Sequence, residues 1–404
     1  MKKITITDYI PYVGEECINE LFALSKSLQG IRVLHVNSTA KGGGVAEILN
    51  RFVPLMNELG LKTDWKVIEG DKKFFEFTKR LHNFLHYPYP GSIESEEIVH
   101  YLKITYENLK KINTENYDVV FIHDPQPMGL IIKKVPGQKW IWRCHIDTST
   151  PHPYAWAFIE NFINAYDVCI FHMPEFVYEG IKIPAYIIPP SIDPLHPKNI
   201  DLPEEKIKKI LSRFGLDLER PIITQVSRFD RLKDPFGVIE AFRIVKKRYD
   251  CQLILVGSFA ADDPEGEEVY KELLNMTRND KDIFILNLPP DSHIEINALQ
   301  RGSTIVVQKS IREGFGLVVS EAMWKGKPVI GSDVGGIKRQ IVHGVTGYLV
   351  HSVEGLAMRI KQLLANPEFI STMGYYAKER VRHRFLILRH LRDYLIVIRK
   401  LLNL

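Results

Sequence analysis

From about residue 31 onward the chain alternates short β-branched runs with longer amphipathic stretches. That alternation predicts parallel sheets covered on both faces by helices, hence an α/β protein. In the first half the predicted strands are 31–36, 63–67, 119–123, 139–144, 168–171 and 186–189; in the second they are 222–226, 252–256, 283–286, 304–307 and 328–330. Between the two series, residues 189–197 hold four prolines. Such a segment continues neither a helix nor a central strand. The reading is two doubly wound, Rossmann-like domains, 1–195 and 196–380. The first has an N-terminal extension carrying one helix. Residues 381–404 are read as a terminal helix crossing back to the first domain. Open sheets of this kind bind ligands at the carboxyl ends of their strands, and a cleft there is expected.

Composition narrows the function. With 404 residues, 45% hydrophobic and 25% charged, the chain is long enough for two or three full cores and is neither disordered nor fibrous. A net charge of +4, from 53 basic and 49 acidic side chains, is too balanced for a protein that covers a nucleic-acid backbone. Cys17, Cys144, Cys169 and Cys251 lie far apart and form no Cys-x-x-Cys pair. The first residues resemble no signal peptide and no apolar run is long enough to span a bilayer. The expectation is a reduced, cytoplasmic protein without a membrane anchor.

The strongest chemical signal is Glu313-Gly314-Phe315-Gly316-Leu317-Val318-Val319-Ser320-Glu321. The glycines let backbone approach a ligand, and the apolar run behind them opens a helix whose free amides suit an anion such as a diphosphate. Glu321, about one turn inside, is placed to accept ribose hydroxyl protons. A second signal is Arg228-Phe229-Asp230-Arg231-Leu232-Lys233-Asp234-Pro235, between a buried strand and a helix start. Arg228 and Lys233 are candidates to clamp two phosphates, the first as a planar fork and the second as a point charge. Arg231 reads as a solvated charge. A third, less specific signal is Lys41-Gly42-Gly43-Gly44-Val45-Ala46-Glu47, which lacks both the dinucleotide and the P-loop spacings.

Two strand ends in the first half carry polar residues, His123-Asp124-Pro125-Gln126 and Arg143-Cys144-His145-Ile146-Asp147. Asp124, Gln126 and Asp147 are candidates to bind the hydroxyls of a polyol acceptor, and His145 ends an apolar strand that points into the expected cleft. Tyr154 and Trp156 are weaker candidates for a stacking face. His35, His172 and His343 read as core histidines. No zinc-hydrolase or serine-esterase motif is present, and Asp280-Lys281-Asp282 reads as a solvated turn.

Taken together, the paired glutamates around Gly-Phe-Gly, the Arg228 and Lys233 loop and the Gly42-Gly43-Gly44 turn resemble the retaining glycosyltransferases of family four, with their GT-B fold. The extension, the loop 41–47 and Trp142-Arg143-Cys144-His145-Ile146-Asp147 are similar, more narrowly, to the trehalose glycosyltransferring synthases within it. The resemblance implies transfer of glucose from a nucleoside-diphosphate glucose (UDP-, ADP- or GDP-glucose) to free glucose. It implies Glu313 on the donor sugar, Glu321 on the ribose, Arg228 and Lys233 on the diphosphate, and Gly43 and Gly44 against diphosphate and sugar. His145 would lie near the anomeric carbon and backbone around Leu286 and Asn287 would receive the base, with no obligatory cofactor. Mg2+ is compatible with such a donor, although no protein ligand set is found. A homodimer is left open. Lys338-Arg339 stands where the family commonly has Pro-Glu. Another acceptor, a trehalose phosphorylase, a sugar-nucleotide epimerase on the same scaffold and a regulator without chemistry are the alternatives.

Overall fold

In the computed structural model, which describes residues 4–40, 43–258 and 264–404, the β-branched runs form two parallel six-stranded sheets. The first holds β1 (Arg32–Asn37), β2 (Lys62–Val67), β3 (Val119–His123), β4 (Lys139–Arg143), β5 (Val168–Phe171) and β6 (Ala185–Ile187) in the order β2-β1-β3-β4-β5-β6. The second holds β7 (Ile222–Val226), β8 (Gln252–Gly257), β9 (Ile283–Asn287), β10 (Ile305–Gln308), β11 (Val329–Ser332) and β12 (Gly347–Val350), ordered β12-β11-β10-β7-β8-β9. The strand order reverses between β1 and β3 in one sheet and between β7 and β10 in the other. Those reversals are where open sheets leave room for ligands at the carboxyl edge.

The central strands are buried on both faces because both faces are covered. In the first sheet Leu34, Val36, Val120, Ile122, Trp140 and Trp142 point to one side. There they pack with Phe74, Phe77 and Leu81 of helix Lys72–His86, Tyr101 of helix Ser95–Lys111 and Phe158 of helix Pro153–Ile163. The intervening residues His35, Phe121 and His123 point the other way, as the two-residue pleat requires. On that side Phe121 stacks on Tyr394 at 4.9 Å and Phe52 meets the same ring at 5.0 Å. Phe52 belongs to helix Gly44–Glu58 and Tyr394 to helix Ile387–Leu402. In the second sheet Ile223, Leu253, Leu255, Ile305 and Val307 share one core with helices Pro235–Lys246 and Val353–Leu364. Ile222, Val226, Ile254 and Val256 form another with helices Glu204–Arg213 and His293–Gly302. Each large apolar side chain so buried contributes about 1.5–3 kcal/mol.

Contacts divide the chain into two compact units, Met1–Ser191 with Ile387–Leu404, and Ile192–Leu386. The chain leaves the first unit inside the proline-rich segment, and the last helix, Ile387–Leu402, belongs to the first unit. Residues 192–195 and 381–386 therefore fall in the second unit, unlike the boundaries drawn from sequence. The terminal helix read over 381–404 is instead the end of helix Pro367–Arg384 followed, after an interruption at Phe385 and Leu386, by helix Ile387–Leu402. The extension carries helix Glu15–Ser25 behind a four-residue helix and a 3-10 turn, more than the one helix expected. β6 ends at Ile187, short of the two prolines that have no amide to offer a ladder. β12 is an edge strand of four residues that the sequence reading missed.

Candidate active site

In the second unit two loops leave adjacent strands at the reversal point. The loop after β7 makes a 3-10 turn at Arg231–Lys233, with Asp230 Oδ1 accepting the Leu232 amide at 2.8 Å. Asp234 takes a left-handed φ of 46° and caps helix Pro235–Lys246, accepting the Gly237 amide at 3.0 Å. The loop after β10 is tied to it through the Ile311 amide, which donates to Leu232 O at 2.7 Å, and through the Lys309–Asp234 ion pair. This bracing brings Lys233 Nζ to 2.7 Å from Glu313 Oε2, with side-chain exposures of only 17% and 11%. Ser310 Oγ donates to the same carboxylate oxygen at 3.2 Å. Arg228 is 66% exposed and touches Asp230 at 3.3 Å, so its guanidinium remains open to solvent.

Gly316, at φ 76°, caps helix Leu317–Trp324. The short helix Gly335–Gln340 backs the loop that leads to it. A Cβ on Gly335 would meet Glu313 O at 1.7 Å and one on Gly336 would meet Phe315 Cα at 2.3 Å, so only glycine fits. The buried Gln340 donates to Phe315 O at 2.6 Å and to Gly316 O at 3.2 Å, while Ser320 Oγ donates to its amide oxygen at 2.5 Å. Gly314, Leu317 and Val318 are partly exposed around this turn, Phe315 is buried, and Glu321 is buried on the helix behind it. Leu286 and Asn287 lie at the carboxyl end of β9, Leu286 half-buried and Asn287 exposed. Lys338 and Arg339 are both exposed. Arg231 pairs with Glu272 at 2.6 Å on the surface, and Asp280 and Asp282 pair with Arg243, Arg220 and Lys246.

In the first unit the candidate residues again follow the strands at the reversal point. Gly43, at φ 78°, caps helix Gly44–Glu58. A Cβ there would have open space, so its glycine serves backbone conformation. Lys41 and Gly42 lie outside the described residues. Asp124 sits at φ 64°, left-handed and strained for a non-glycine residue. Its Oδ1 accepts the His145 amide at 2.7 Å, and Trp142 Nε1 donates to its carbonyl at 3.1 Å. Burial pushes the Asp124 carboxyl up to about 7, against the pull of the His145 amide and Arg143. Asp147 Oδ1 accepts both the Ser149 amide, at 3.0 Å, and its hydroxyl, at 2.6 Å. Asp147 thus spends an oxygen on its own turn and Asp124 one on the segment after the neighbouring strand, rather than leaving them for a hydroxyl ligand. Gln126 Oε1 is enclosed without a partner among the described residues.

His145 belongs to a row of four imidazoles that the sequence reading did not foresee. His35 Nδ1 lies 3.0 Å from His123 Nε2, His123 Nδ1 lies 3.0 Å from His145 Nε2, and His145 Nδ1 lies 3.3 Å from His172 Nε2. In the sheet register His35 faces Phe121 and His123 faces Arg143. Each of the first two steps therefore advances two residues, which keeps the same face and climbs toward the carboxyl edge. Burial drives the His35 pKa down to about 3 and those of His123, His145 and His390 well below the usual range, with Arg143 adding to the effect on the last three. Arg143 is wholly buried; its Nη2 donates to Ile188 O at 2.8 Å. His123, His145, His390 and Tyr394 line a small pocket completed by Val45, Ile48, Leu49 and Phe52. His35 and His172 are buried, as expected of core histidines, but paired to one another's neighbours rather than isolated. His343 is exposed instead, accepting the Leu349 amide at 3.1 Å. Tyr154 is exposed, and Trp156 is buried against Tyr178.

Residues 35–178 match the family model described as trehalose synthase, N-terminal domain, and residues 206–380 match that of glycosyl transferases group 1. The chain is 46% identical to the trehalose synthase of Pyrococcus horikoshii over 402 residues, covering 99% of this chain and 97% of that relative. The chain belongs to the trehalose synthase family. A second trehalose synthase, from Rubrobacter xylanophilus, is 45% identical over 408 residues, 98% of this chain and 97% of the relative. The two parallel-sheet units match GT-B glycosyltransferases. One is the E. coli trehalose-6-phosphate structure bound with UDP-2-fluoro glucose, at TM-score 0.73 and 13% identity over 91% of this chain and 98% of that one. A member of the trehalose synthase family is an enzyme of glycosyltransferase type. Among the described residues no helix is long and apolar enough to cross a membrane.

Proposed function

We propose that this member of the trehalose synthase family moves glucose from a nucleoside-diphosphate glucose to free glucose, forming trehalose with retention at the anomeric carbon. The observation that carries the reading is the Lys233 and Glu313 pair, held at the strand reversal beside Arg228 and the glycine-capped helix Leu317–Trp324. That combination supplies two cations and a helix N-terminus, whose free amides carry about half a positive charge, to a departing diphosphate. Glu313 orients the donor sugar while neutralising Lys233 until the phosphates arrive. Glu321 holds the ribose, and backbone at Leu286 and Asn287 takes the base. Gly43 and Gly44 pack on the diphosphate and donor sugar.

On the acceptor side His145 lies against the anomeric centre, with Gln126 and Asp147 taking sugar hydroxyls. Asp124 serves by fixing the His145 backbone, the contact its carboxylate already makes. The reaction is front-face displacement. The bond from the anomeric carbon to the diphosphate oxygen breaks, the acceptor oxygen bonds to that carbon from the same side, and its proton passes to the leaving phosphate oxygen. Mg2+ would enter with the diphosphate rather than on a protein ligand set. The test is kinetic: Arg228→Ala should lower turnover with nucleoside-diphosphate glucose by at least about a hundredfold, the scale of losing one charge-stabilising donor. An unchanged turnover would remove Arg228 from the site.

A further inference from the structure

The row of imidazoles has a direction, and its His35 end discriminates between the two possibilities. A neutral imidazole carries one donor and one acceptor, so a line of neutral rings can be polarised only two ways. In one, each Nδ1 carries the proton and donates onward, from His35 to His123, from His123 to His145, and from His145 to His172. In the other, each Nε2 carries it and the line runs backward. His35 Nε2 is enclosed and has no partner among the described residues. The first polarity leaves a bare lone pair at that atom; the second buries an unpaired N–H. Orphaned buried N–H groups are the rarer and costlier of the two. The same dead end argues against a proton conduit, since the row has no exit to solvent through His35.

We propose that His35 and His123 are positioning residues that hold His145 as the neutral Nδ1–H tautomer, so that it meets a sugar as a hydrogen-bond donor. The His123 link at 3.0 Å anchors Nε2, while the longer His172 link at 3.3 Å is the one a sugar hydroxyl replaces. Arg143, buried beside the row, disfavours a second proton on His123 and on His145. Asp124, which grips the His145 backbone, and His390 and Tyr394 from the last helix also stand beside the row. An isolated imidazole favours the opposite, Nε2–H form, so the assignment is specific. The catalytic consequence rests on the reading that His145 contacts the sugar; the tautomer itself does not.

The test is nitrogen-15 NMR of the full chain labelled at histidine, with His145→Gln and His123→Gln used to assign the ring signals. The expected result is Nδ1–H on both His123 and His145. His35→Asn, whose side-chain amide can still donate to His123, should keep that tautomer and near-wild-type kcat. His35→Met, whose thioether can accept a hydrogen bond but not donate one, should turn the row to Nε2–H on His123 and His145 and lower kcat at least about tenfold with the donor KM unchanged, the scale of one mispaired hydrogen bond. Nε2–H on His145 in the wild-type chain overturns the proposal whatever the activity, as does an unchanged tautomer in His35→Met. Nδ1–H in a wild-type chain that turns over no nucleoside-diphosphate glucose supports the tautomer assignment and defeats the functional reading instead.

Discussion

Replacing His35 with asparagine isolates the stability effect of a single buried imidazole. In the native chain burial holds His35 at a pKa of about 3, against 6.5 for an ordinary imidazole. A histidine depressed in this way is neutral when folded, and the unfolded chain takes up its proton first as pH falls. Stability is therefore intact above about 6.5 and is lost progressively as pH drops from there toward 3. Integrated between pH 7 and pH 5, one such group withdraws about 2 kcal/mol. His123, His145 and His390, depressed mainly by burial, act in the same direction. Asp124, raised to about 7, opposes them, because the native state keeps a proton that the unfolded chain releases. The assay is urea unfolding at pH 7 and pH 5, followed by tryptophan fluorescence. Trp65, Trp140, Trp142 and Trp156 lie in the first unit and only Trp324 in the second, so the signal reports mainly the unit in question. In His35→Asn the loss of stability between the two pH values should shrink by about 2 kcal/mol, a midpoint change of roughly 0.7 M urea for a slope near 3 kcal/mol/M. An unchanged difference between the pH values would show that His35 titrates like a solvated histidine and would refute the argument from burial.

Three further outcomes are expected. Lys233→Ala takes the cation from the enclosed Glu313 carboxylate and should destabilise the second unit by about 1–3 kcal/mol in thermal melts, whereas Lys233→Ala combined with Glu313→Ala recovers much of that stability without recovering activity. Gly336→Ala drives a Cβ to 2.3 Å from Phe315 Cα, so the glycine-capped turn must shift; a melting temperature within a degree of wild type would show that the turn absorbs it. Arg231→Ala removes exposed pairs with Glu268 and Glu272 and a contact with the Phe236 ring, and should change stability by less than about 1 kcal/mol and leave kcat unaltered, in contrast to Arg228→Ala.

The strands and the second-unit loops were legible because they are written locally. Val and Ile runs mark β7 and β10, Asp234-Pro235 marks a helix start, and Gly314 with Gly316 marks a turn before an apolar helix. Those signals led to Lys233 and Glu313, which meet at 2.7 Å. Their supports were not legible. Gly335, Gly336 and Gln340 act through contacts with a loop some twenty residues earlier in the chain, and no local pattern encodes such a distance. The imidazole row shows the same gap more sharply. His35 and His172 look like ordinary core residues until the order β1-β3-β4-β5 sets their strands side by side with those of His123 and His145. Asp124 and Asp147 were read from residue type as hydroxyl binders, yet Asp147 accepts the amide and hydroxyl of its own turn, and Asp124 accepts the His145 amide from beyond the neighbouring strand, a pairing no local pattern encodes. His343 was placed in the core because a lone histidine gives no sign of its strand face, and it stands in the exposed turn before β12, the strand too short to announce itself.

The most direct test of glucose transfer is to incubate the purified chain with UDP-, ADP- and GDP-glucose, each with and without free glucose, and to separate the products by chromatography. The account predicts α,α-1,1-linked trehalose and free nucleoside diphosphate in equal amounts, only where a donor and glucose are both present. Release of nucleoside diphosphate at the same rate without glucose, or no consumption of any of the three donors, would contradict it.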